Sequence, residues 1–328
     1  MVKIGVIGVG VMGKNHVRAL SEIQKVTSII ISDVDKQKIG EIISKFDIAK
    51  TYNDYKEMLK NEKLDGVIIS VPPTFHKRIV LDCIDAGVNV LVEKPISHDL
   101  EEAQEMIDEA KKKGIIFLVG HIERFNPVVS KIKELIEQGK LGEIYLVNTI
   151  RIGPFPKRLY GFQEGVLIDI SVHDIDVIRY LAGEIKQVYS QLIFLGKQEV
   201  YARCLFELEK GIKSSSEFSW ISPKRSRTIE IYGTRGMLRG DYFSQELTFY
   251  ENNDSDTDAA LTKGNVSAGN ITNIPVNKQE PLKVELASFI DCIKNNKKPI
   301  ISSEDAKRAL EIALSVLESS KNNKPIEV

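Results

Sequence analysis

The sequence predicts an α/β domain built on a doubly wound parallel sheet, followed by an α+β domain with a large, mainly antiparallel open sheet. From residue 1 to about residue 119, short apolar runs alternate with helical patterns, which is typical of βαβ units whose sheet is buried on both faces. After Pro127 and one helix, strand candidates follow one another directly, which favours an antiparallel sheet in a separate domain. We therefore divide the chain into residues 1–120 and 121–328.

The first domain is predicted to contain five strands and two clearly bounded helices. The strands cover 3–8, 26–33, 66–71, 88–92 and 115–119. One helix covers 74–86, begins with a threonine cap at Thr74 and ends at Gly87. The other covers 99–113 and ends at Gly114.

The second domain is predicted to begin with a helix over 128–138. Its strands cover 144–152, 187–195, 200–208, 213–220 and 228–232. The segment 252–280 is rich in Asn, Asp, Ser, Thr and Gly, so we interpret it as a surface excursion and not as a further domain. Two helices, 282–295 and 303–319, follow it.

Composition and charge exclude several classes of partner. The 328 residues include 45 Lys and Arg against 46 Asp and Glu, a net charge of -1, so the chain has no overall field that would attract nucleic acid. No stretch of 18 apolar residues predicts a membrane span, and no secretion signal is recognised at the start of the sequence. Cys83, Cys204 and Cys292 lie far apart and lack metal-binding spacing. We therefore expect a cytoplasmic protein that binds small molecules.

A glycine-rich segment after the first strand predicts a dinucleotide site. Gly8 permits a tight turn, Gly10 leaves room for a pyrophosphate, and Gly13 lets the following helix pack closely on the strand. The backbone N–H groups at the start of that helix, at Val11 and Met12, are expected to face the phosphates.

An acidic residue at the end of the second strand completes this pattern. Asp33 lies 20 residues after Gly13, where a carboxylate can accept the ribose hydroxyls of the adenosine. Its charge, with that of Asp35, would repel a 2′-phosphate, so NAD is favoured over NADP. The alternative is that Asp33 only caps the next helix.

Two further segments follow strands at the carboxyl edge, where a doubly wound sheet places its ligand. They are S-V-P-P-T-F-H at 70–76 and V-E-K-P at 92–95. Together with the glycine segment and R-F-N-P at 124–127, they resemble the glucose-fructose oxidoreductase/inositol dehydrogenase/rhizopine-catabolism (Gfo/Idh/MocA) family, whose hallmark is E-K-P. The resemblance covers essentially the whole chain and implies an N-terminal Rossmann domain, NAD as cofactor and oxidation of a sugar-like alcohol. Cofactor contacts are expected from Ser70, Pro72, His76, Glu93 and Lys94.

A pair of residues four apart in the second domain predicts the catalytic groups. Asp169 and His173 lie in a helical pattern ended by Gly183, so they are expected to share one helix face. The family pattern here is D-x-G-x-H-x-x-D, and this chain carries Ser171 in place of the glycine. His173 would take the hydroxyl proton as general base, since a histidine can do so near neutral pH. By the resemblance, His173 acts with Asp169 and with Lys94, which would hold the substrate oxygen.

Other residues are given structural interpretations at this stage. His16 and His98 are expected to be ordinary surface or cap residues. A metal site is not expected, because Asp169, His173 and Asp176 lack further ligands at a recognisable spacing. The Lys94–Pro95 peptide bond is predicted to be cis, because the chain must turn sharply there.

The segment R-I-G-P-F-P-K-R at 151–158 provides a hypothesis for the substrate. With G-V-L-I-D at 165–169, it resembles the members of this family that oxidise the 3-hydroxyl of UDP-N-acetylglucosamine. Arg151, Lys157 and Arg158 would bind the diphosphate, and Arg124 is expected to contribute to the substrate site. These cations could instead belong to a solvated face or to a subunit contact.

Two other functions remain open from the sequence. A family member acting on a free polyol or sugar, such as inositol, would not need the loop cations. A regulator that binds NAD without turnover is the third possibility, and retention of Lys94, Asp169 and His173 argues against it. A homodimer or homotetramer is expected by analogy, because one face of the second sheet is left without helices.

Overall fold

The computed structural model describes residues 2–156, 164–253 and 268–328. Its chain divides into two compact units. The first contains residues 1–122 and 280–310, and the second contains residues 123–279 and 311–328.

The first unit is built on a six-stranded parallel sheet with the order β3-β2-β1-β4-β5-β6. Its strands are β1 (Val2–Ile7), β2 (Val26–Ser32), β3 (Lys50–Tyr52), β4 (Gly66–Ile69), β5 (Asn89–Val92) and β6 (Phe117–Val119). Its helices include α1 (Val11–Ser21), α2 (Lys36–Ile43), α3 (Tyr55–Asn61), α4 (His76–Asp85) and α5 (Leu100–Lys113). The strand order reverses direction at β1, so the doubly wound sheet is confirmed.

The ends of α5 and α4 show which local signals the sequence carries. Asp99 accepts hydrogen bonds from the first-turn N–H groups of α5, and Gly114 ends that helix with a φ of 66°. Before α4, however, the chain makes a 3₁₀ turn over Pro73–Phe75, and the helix begins at His76 without a side-chain cap. The threonine cap predicted at Thr74 is therefore wrong, because the two prolines before it set the backbone of that turn.

The second unit is built on a nine-stranded sheet with the order β14-β13-β12-β11-β7-β10-β9-β8-β15. The strands are β7 (Ile144–Pro154), β8 (Ile185–Leu195), β9 (Gln198–Leu208), β10 (Lys213–Ser219), β11 (Ile221–Gly233), β12 (Gly236–Asp241), β13 (Glu246–Asn252), β14 (Ala268–Ile274) and β15 (Ile326–Glu327). Strands β7 and β10 pair in parallel and the other neighbours are antiparallel, so the mainly antiparallel sheet is confirmed.

At least two of the described helices pack on this sheet. They are α6 (Pro127–Glu137), which contacts β12, and α7 (Val172–Ala182), which contacts β7. Gly240 makes room for α6, because a Cβ at that position would lie 2.5 Å from Cγ1 of Val128. Along β7 the side chains of Val147, Thr149 and Arg151 are buried, whereas Ile150 is exposed on the other face.

The chain returns to the first unit after the second sheet. Helix α8 (Pro281–Asn295) buries Leu286 and Phe289 in the apolar core that contains Ile4, and α9 (Ser303–Asn322) follows it. Gly66 admits α8, since a Cβ there would lie 2.7 Å from Cδ1 of Ile293. The division of the chain therefore differs from the predicted 121–328 domain.

The segment 252–280 also differs from the expected surface excursion. Its residues from Ala268 to Ile274 form β14, which pairs with β13 at the edge of the sheet. Glu280 belongs to the first unit and precedes α8. The polar composition concealed the strand, because an edge strand needs few apolar side chains.

Candidate active site

The three glycines after β1 take the positions that a dinucleotide turn requires. Gly8 has a φ of 85°, and a Cβ on it would lie 2.8 Å from the Ser70 carbonyl oxygen. A Cβ on Gly13 would lie 2.0 Å from the Gly8 carbonyl oxygen, so only glycine lets α1 approach β1 this closely. At Gly10 a Cβ would meet nothing within 4 Å, and no side chain caps the helix there. The turn therefore has open space and uncapped N–H groups where a pyrophosphate could bind.

Asp33 is connected to this turn and does not cap the next helix. Its Oδ2 accepts a hydrogen bond from Val9 N at 2.8 Å, and its Oδ1 accepts one from Asp35 N at 2.9 Å. The cap of α2 is Asp35, which accepts from Gln37 N at 2.9 Å. Since each carboxylate oxygen can accept more than one hydrogen bond, Asp33 retains the capacity for ribose hydroxyls.

The end of β4 is attached to both neighbouring segments. Ser70 Oγ donates to the Gly8 carbonyl at 2.7 Å, and Pro72 precedes the 3₁₀ turn. His76 is buried, with Nε2 3.0 Å from the Val71 carbonyl oxygen and Nδ1 3.0 Å from that of Pro95. Burial lowers the pKa of His76, against the opposing effect of these carbonyl groups. Its contacts are those of a residue that supports the loop.

The E-K-P segment lies at the end of β5. The Lys94–Pro95 peptide bond is cis, which confirms that prediction. Glu93 Oε2 accepts from Lys94 N at 3.3 Å, and Glu93 Oε1 lies 2.8 Å from His16 Nε2. Burial acts to raise the pKa of Glu93, but His16 and Lys94 outweigh it, so this pKa is lowered.

Two buried residues behind this segment were not found by sequence reasoning. His16 is fully buried, so its interpretation as a surface or cap residue is wrong. Its place on the inner side of α1 could have been recognised from Val17 and Leu20, which continue the same apolar pattern. Glu285 on α8 is 1% exposed, and neither of its carboxyl oxygens has a hydrogen-bond partner in the described part of the chain. Burial, assisted by the charge of Glu93, raises the pKa of Glu285 well above its ordinary value.

In the second unit, Asp169 and His173 lie on one continuous helical segment. Asp169 is in a π-helical turn over Leu167–Ser171, and His173 is in the first turn of α7. Both are buried, at 2% and 9% exposure. Ser171 Oγ donates to the Leu167 carbonyl at 2.6 Å, so this hydroxyl is satisfied within the helix. π-helical turns of this kind occur frequently at functional sites.

The start of this helical segment is held by Glu199 on β9. The Glu199 carboxylate accepts a hydrogen bond from the backbone N–H of Leu167. A Cβ on Gly165 would lie 1.8 Å from Cδ of Glu199, so glycine is required at that position. Burial raises the pKa of Glu199, and the two backbone hydrogen bonds that its carboxylate accepts act in the opposite direction. Sequence reasoning missed Glu199.

Two of the cations assigned to the substrate are buried in ion pairs instead. Arg124 donates to both Asp176 oxygens, at 2.7 and 2.6 Å. Arg151 donates to Asp174 at 2.5 and 3.1 Å and to Glu123 at 2.8 Å. Arg151 was expected to bind a diphosphate, and this is a correction: strand alternation turns its side chain toward the helix-covered face. Arg124, which lies in the 3₁₀ turn Ile122–Phe125, is also corrected, because its side chain is 5% exposed and pairs with the buried Asp176 carboxylate.

A third arginine lies at the edge of this buried network. Arg227 on β11 stands directly opposite Arg151 on β7, and its Nη1 lies 3.4 Å from Glu123 Oε1. Its side chain is 40% exposed, and its guanidinium lies over the Phe243 ring at 4.8 Å. Arg227 was not recognised from the sequence. The remaining predicted substrate cations, Lys157 and Arg158, fall outside the described residues.

Residues 2–156, 164–253 and 268–328 contain no group of three or more His, Cys, Asp or Glu side chains able to hold a metal ion. No helix within these residues is long and apolar enough to cross a membrane.

Comparison with known proteins gives matches over the whole chain. Residues 2–121 match the model of an oxidoreductase family with an NAD-binding Rossmann fold, and residues 129–239 match the model of the GFO/IDH/MocA C-terminal domain. Myo-inositol 2-dehydrogenase of Thermotoga maritima is 26% identical over 99% of this chain and 98% of its own length. Scyllo-inositol 2-dehydrogenase (NAD(+)) of Bacillus subtilis is 28% identical over 100% of this chain and 96% of its own.

Among solved structures, UDP-N-acetylglucosamine 3-dehydrogenase of Acidithiobacillus ferrooxidans superposes with a TM-score of 0.84 at 21% identity, covering 98% of each chain. This likeness extends to the complete fold. The N-terminal family model, an NAD-binding Rossmann fold, and the glycine turn after β1 agree on the cofactor, which is NAD. The chain belongs to the Gfo/Idh/MocA family of NAD-dependent oxidoreductases.

Proposed function

We propose that this enzyme oxidises a secondary hydroxyl of a nucleotide sugar, the 3-hydroxyl of UDP-N-acetylglucosamine or of a related UDP-sugar, to a ketone. The observation that carries the proposal is the helical segment of the second unit. It holds Asp169 and His173 four residues apart in a buried setting, and its first turn is fixed by Glu199. Side chains four apart on a helix project in similar directions, as two groups acting on one hydroxyl must.

The chemistry assigns a separate task to each residue. NAD, when bound, accepts the hydride that leaves the carbinol carbon. His173 takes the hydroxyl proton, so that the alcohol loses one hydride and one proton and becomes a ketone. Lys94 binds the substrate oxygen and stabilises the negative charge that develops on it during this transfer. Asp169 orients the hydroxyl and the imidazole.

The cofactor residues carry the second part of the proposal. Gly8, Gly10 and Gly13, with the N–H groups of Val11 and Met12, bind the pyrophosphate. Asp33 accepts the ribose hydroxyls. The side chains or backbone of Ser70, Pro72, His76, Glu93 and Lys94 shape the cofactor site at the ends of β4 and β5.

The nucleotide-sugar assignment is supported by the two segments that carry the resemblance, 151–158 and 165–169. Lys157 and Arg158 stay in the proposal as diphosphate ligands. Arg124 and Arg151 are withdrawn from it, because their guanidinium groups are engaged by buried carboxylates. The solved UDP-N-acetylglucosamine 3-dehydrogenase shares the fold over nearly its full length.

A second candidate is oxidation of a free polyol or sugar such as inositol. Specific observations favour it: the two full-length relatives above are inositol dehydrogenases, and two of the five predicted substrate cations, Arg124 and Arg151, are engaged in buried ion pairs. A free polyol or sugar carries no diphosphate, so exposed cations near the site would not be needed to bind it.

Measuring NADH formation with UDP-N-acetylglucosamine, UDP-glucose, N-acetylglucosamine, myo-inositol and scyllo-inositol separates the two candidates. We expect the highest kcat/KM with a UDP-sugar and only background rates with N-acetylglucosamine, because the diphosphate supplies binding energy. Preference for an inositol over both UDP-sugars would replace the proposal with the second candidate. His173→Ala assayed in parallel shows which rates belong to this active site and not to a contaminant.

We also propose a cytoplasmic homodimer or homotetramer. The sheet face opposite α6 and α7 exposes apolar side chains, among them Ile150, Ile193 and Leu205. A reducing compartment fits three free cysteines that are all buried. Light scattering behind size exclusion would detect the oligomer, and a monomer at micromolar concentration would contradict it.

A further inference from the structure

We propose that Arg227, together with Lys224 and Arg225, forms a further subsite for the diphosphate of the substrate, in addition to the cations proposed above. This inference rests on the proposed function, because it assumes a substrate with a phosphate-bearing group attached to the reacting sugar. The role in substrate binding that was expected of the buried Arg151 and Arg124 then belongs to cations that remain available to a ligand.

Lys224 and Arg225 lie in a wide bulge of β11. Ile221 pairs with Pro154 of β7, whereas the next paired residue, Ser226, stands opposite Ile152. Residues 222–225 therefore face Gly153 alone, and the strand loops out there. Ser222 Oγ donates to the Lys224 carbonyl at 2.9 Å, which ties the bulge to itself.

Both cations in the bulge are exposed, and neither pairs with a carboxylate anywhere in the described ranges. Arg225 lies beside β7, since a Cβ on Gly153 would be 3.5 Å from its Cγ. A guanidinium or an ammonium without an internal partner can bind a phosphate at little cost in lost contacts. The glycine also keeps the surface beside Arg225 free of a side chain.

Arg227 connects this bulge to the catalytic helix. Its charge interacts with Asp169, Asp174 and Glu123, and its pKa is lowered by burial and by the neighbouring Arg151. Like charges directly opposite each other on neighbouring strands repel, so Arg151 and Arg227 require anions between or beside them. Arg151 takes the closer contacts with both carboxylates, which leaves Arg227 with one contact at 3.4 Å.

Within residues 2–156, 164–253 and 268–328, most of the five guanidinium donors of Arg227 are therefore unused. The Phe243 ring at 4.8 Å holds the planar group from one side while 40% of the side chain stays exposed. In a UDP-sugar the diphosphate is attached to the ring that reacts, so its ligands must lie within about one sugar ring of the catalytic groups. Arg227 is a partly exposed cation whose charge interacts with that of Asp169, and it meets that requirement.

Binding of UDP to the NADH-loaded enzyme, measured by titration calorimetry, tests the subsite directly. We expect at least a tenfold rise in the Kd for UDP in Arg227→Gln and in the double variant Lys224→Ala/Arg225→Ala. Inorganic pyrophosphate should compete with UDP in the parent. Arg227→Lys should recover part of the affinity, because it restores the charge without the planar fork. Arg203→Ala is the matched control, since Arg203 is an exposed arginine of the same sheet, paired with Glu217.

The kinetic readout separates this subsite from a structural role. In the two variants KM for the UDP-sugar should rise more than kcat falls, because the contacts are the same in ground and transition states. NADH affinity and the circular dichroism spectrum identify any variant that fails to fold, in which case the bulge double variant decides. UDP affinity equal to that of the parent in folded variants would overturn the subsite.

Failure of the subsite and failure of the proposed function give different results. If the parent oxidises a UDP-sugar and folded variants bind UDP normally, the function stands and the subsite is refuted. If the parent prefers inositol but the variants lose UDP affinity, the subsite stands and the proposed substrate is refuted. A parent that binds no UDP refutes the subsite whichever sugar it oxidises.

Discussion

His16 and Glu93 form a buried pair in which the imidazole Nε2 lies 2.8 Å from the carboxylate Oε1. The pair joins the helix that begins at the glycine turn to the strand end that carries Lys94. Because the other oxygen of Glu93 accepts the Lys94 N–H at 3.3 Å, one side chain orients the backbone of Lys94. His16, which belongs neither to the glycine turn nor to E-K-P, therefore links these two motifs.

We expect His16→Ala to weaken both the fold and the cofactor site. Removing the imidazole leaves a buried carboxylate with a lost partner, which costs about 1–3 kcal/mol in the free energy of unfolding. NAD affinity and kcat should fall together, because Glu93 and Lys94 are no longer held in place. His16→Gln, which can still donate to Glu93, should recover part of both. Thermal unfolding and NAD titration by fluorescence measure the two effects, and an unchanged His16→Ala enzyme would remove this pair from the site.

Replacing Asp33 should change cofactor selectivity. In Asp33→Asn and Asp33→Ala the charge that repels a 2′-phosphate is gone, so the preference for NAD over NADP should fall by roughly tenfold or more, about 1.4 kcal/mol. Asp33→Ala should also weaken NAD itself more than Asp33→Asn does, since it removes the acceptor for Val9 N. The ratio of kcat/KM values for the two cofactors measures this. Asp54→Asn, which alters a helix cap in the same unit, is the control. If the parent, the control and both Asp33 variants have the same ratio, Asp33 does not select the cofactor.

Local patterns were sufficient to predict five of the six strands of the first sheet and the glycine turn. Gly13 is required by its contact with Gly8 in the same βα unit, and the ends of α5 are set by Asp99 and Gly114 next to it. Gly8 is required by its own φ of 85° and by the approach of Ser70 at the end of β4. Strands β3, β12, β13, β14 and β15 were missed. Of these, β3, β14 and β15 carry too few apolar residues to produce a pattern. The return of the chain at residue 280 depends on packing against β1 and α1, which no local signal encodes.

Local sequence patterns also failed to predict which charged residues of the candidate site are buried. The segment at 151–158 was interpreted as a row of exposed cations, although the alternation of Val147 and Thr149 with Ile150 predicts an inward Arg151. Its partners Glu123 and Asp174 come from other elements, so the ion pairs could not be predicted. Tertiary pairing, and not residue type, decides which cations remain for a ligand.

The buried carboxyl group of Glu285 should make stability depend on pH. Its raised pKa keeps it protonated in the folded chain at pH values where the unfolded chain has lost that proton, above about 4.3. The unfolded state then binds fewer protons, so stability falls as pH rises from that value toward the folded pKa. Glu285→Gln has no such titrating group, so its free energy of unfolding should not decrease with pH for this reason. The difference in free energy of unfolding between this variant and the parent should therefore grow between about pH 5 and about pH 8.

Denaturant unfolding of both proteins across that pH range measures the difference. Glu41→Gln, at an exposed position of α2, should show a difference from the parent that changes little with pH. A constant offset between Glu285→Gln and the parent would mean that Glu285 is ionised in the folded chain.

Disturbing the contact between Glu199 and Gly165 should affect catalysis more than cofactor binding. Gly165→Ala places a methyl group where the Glu199 carboxylate lies, so the start of the catalytic helical segment must shift. We expect kcat to fall by about 10-fold or more, consistent with a displacement near 1 Å at catalytic groups. Glu199→Gln keeps the shape of the side chain and an acceptor for Leu167 N, so its kcat should fall less than that of Gly165→Ala.

NAD affinity should stay near that of the parent in both variants, because the contact lies within the second unit. Gly40→Ala is the matched glycine control, since a Cβ there meets nothing within 4 Å. If Gly165→Ala turns over at the parental rate, Glu199 does not position Asp169 and His173.

The catalytic assignment itself predicts a separation of turnover from cofactor binding. His173 takes its proton only as the hydride leaves, and Lys94 meets its largest charge at that moment, so both act mainly in the transition state. His173→Ala should therefore lower kcat by about 10²- to 10⁴-fold, the usual range for a positioned acid-base group, with NAD affinity nearly unchanged. Lys94→Ala should be at least as damaging.

The double variant of His173 and Lys94 completes the test. Its kcat should be little lower than that of the poorer single variant, because groups that act as a unit are strongly non-additive. NAD affinity by fluorescence and turnover by NADH absorbance, measured on the same preparations, give both quantities. Near-parental turnover in one single variant would remove that residue from the mechanism. Near-parental turnover in both would refute the catalytic assignment, since no other described residue is proposed to take the hydroxyl proton.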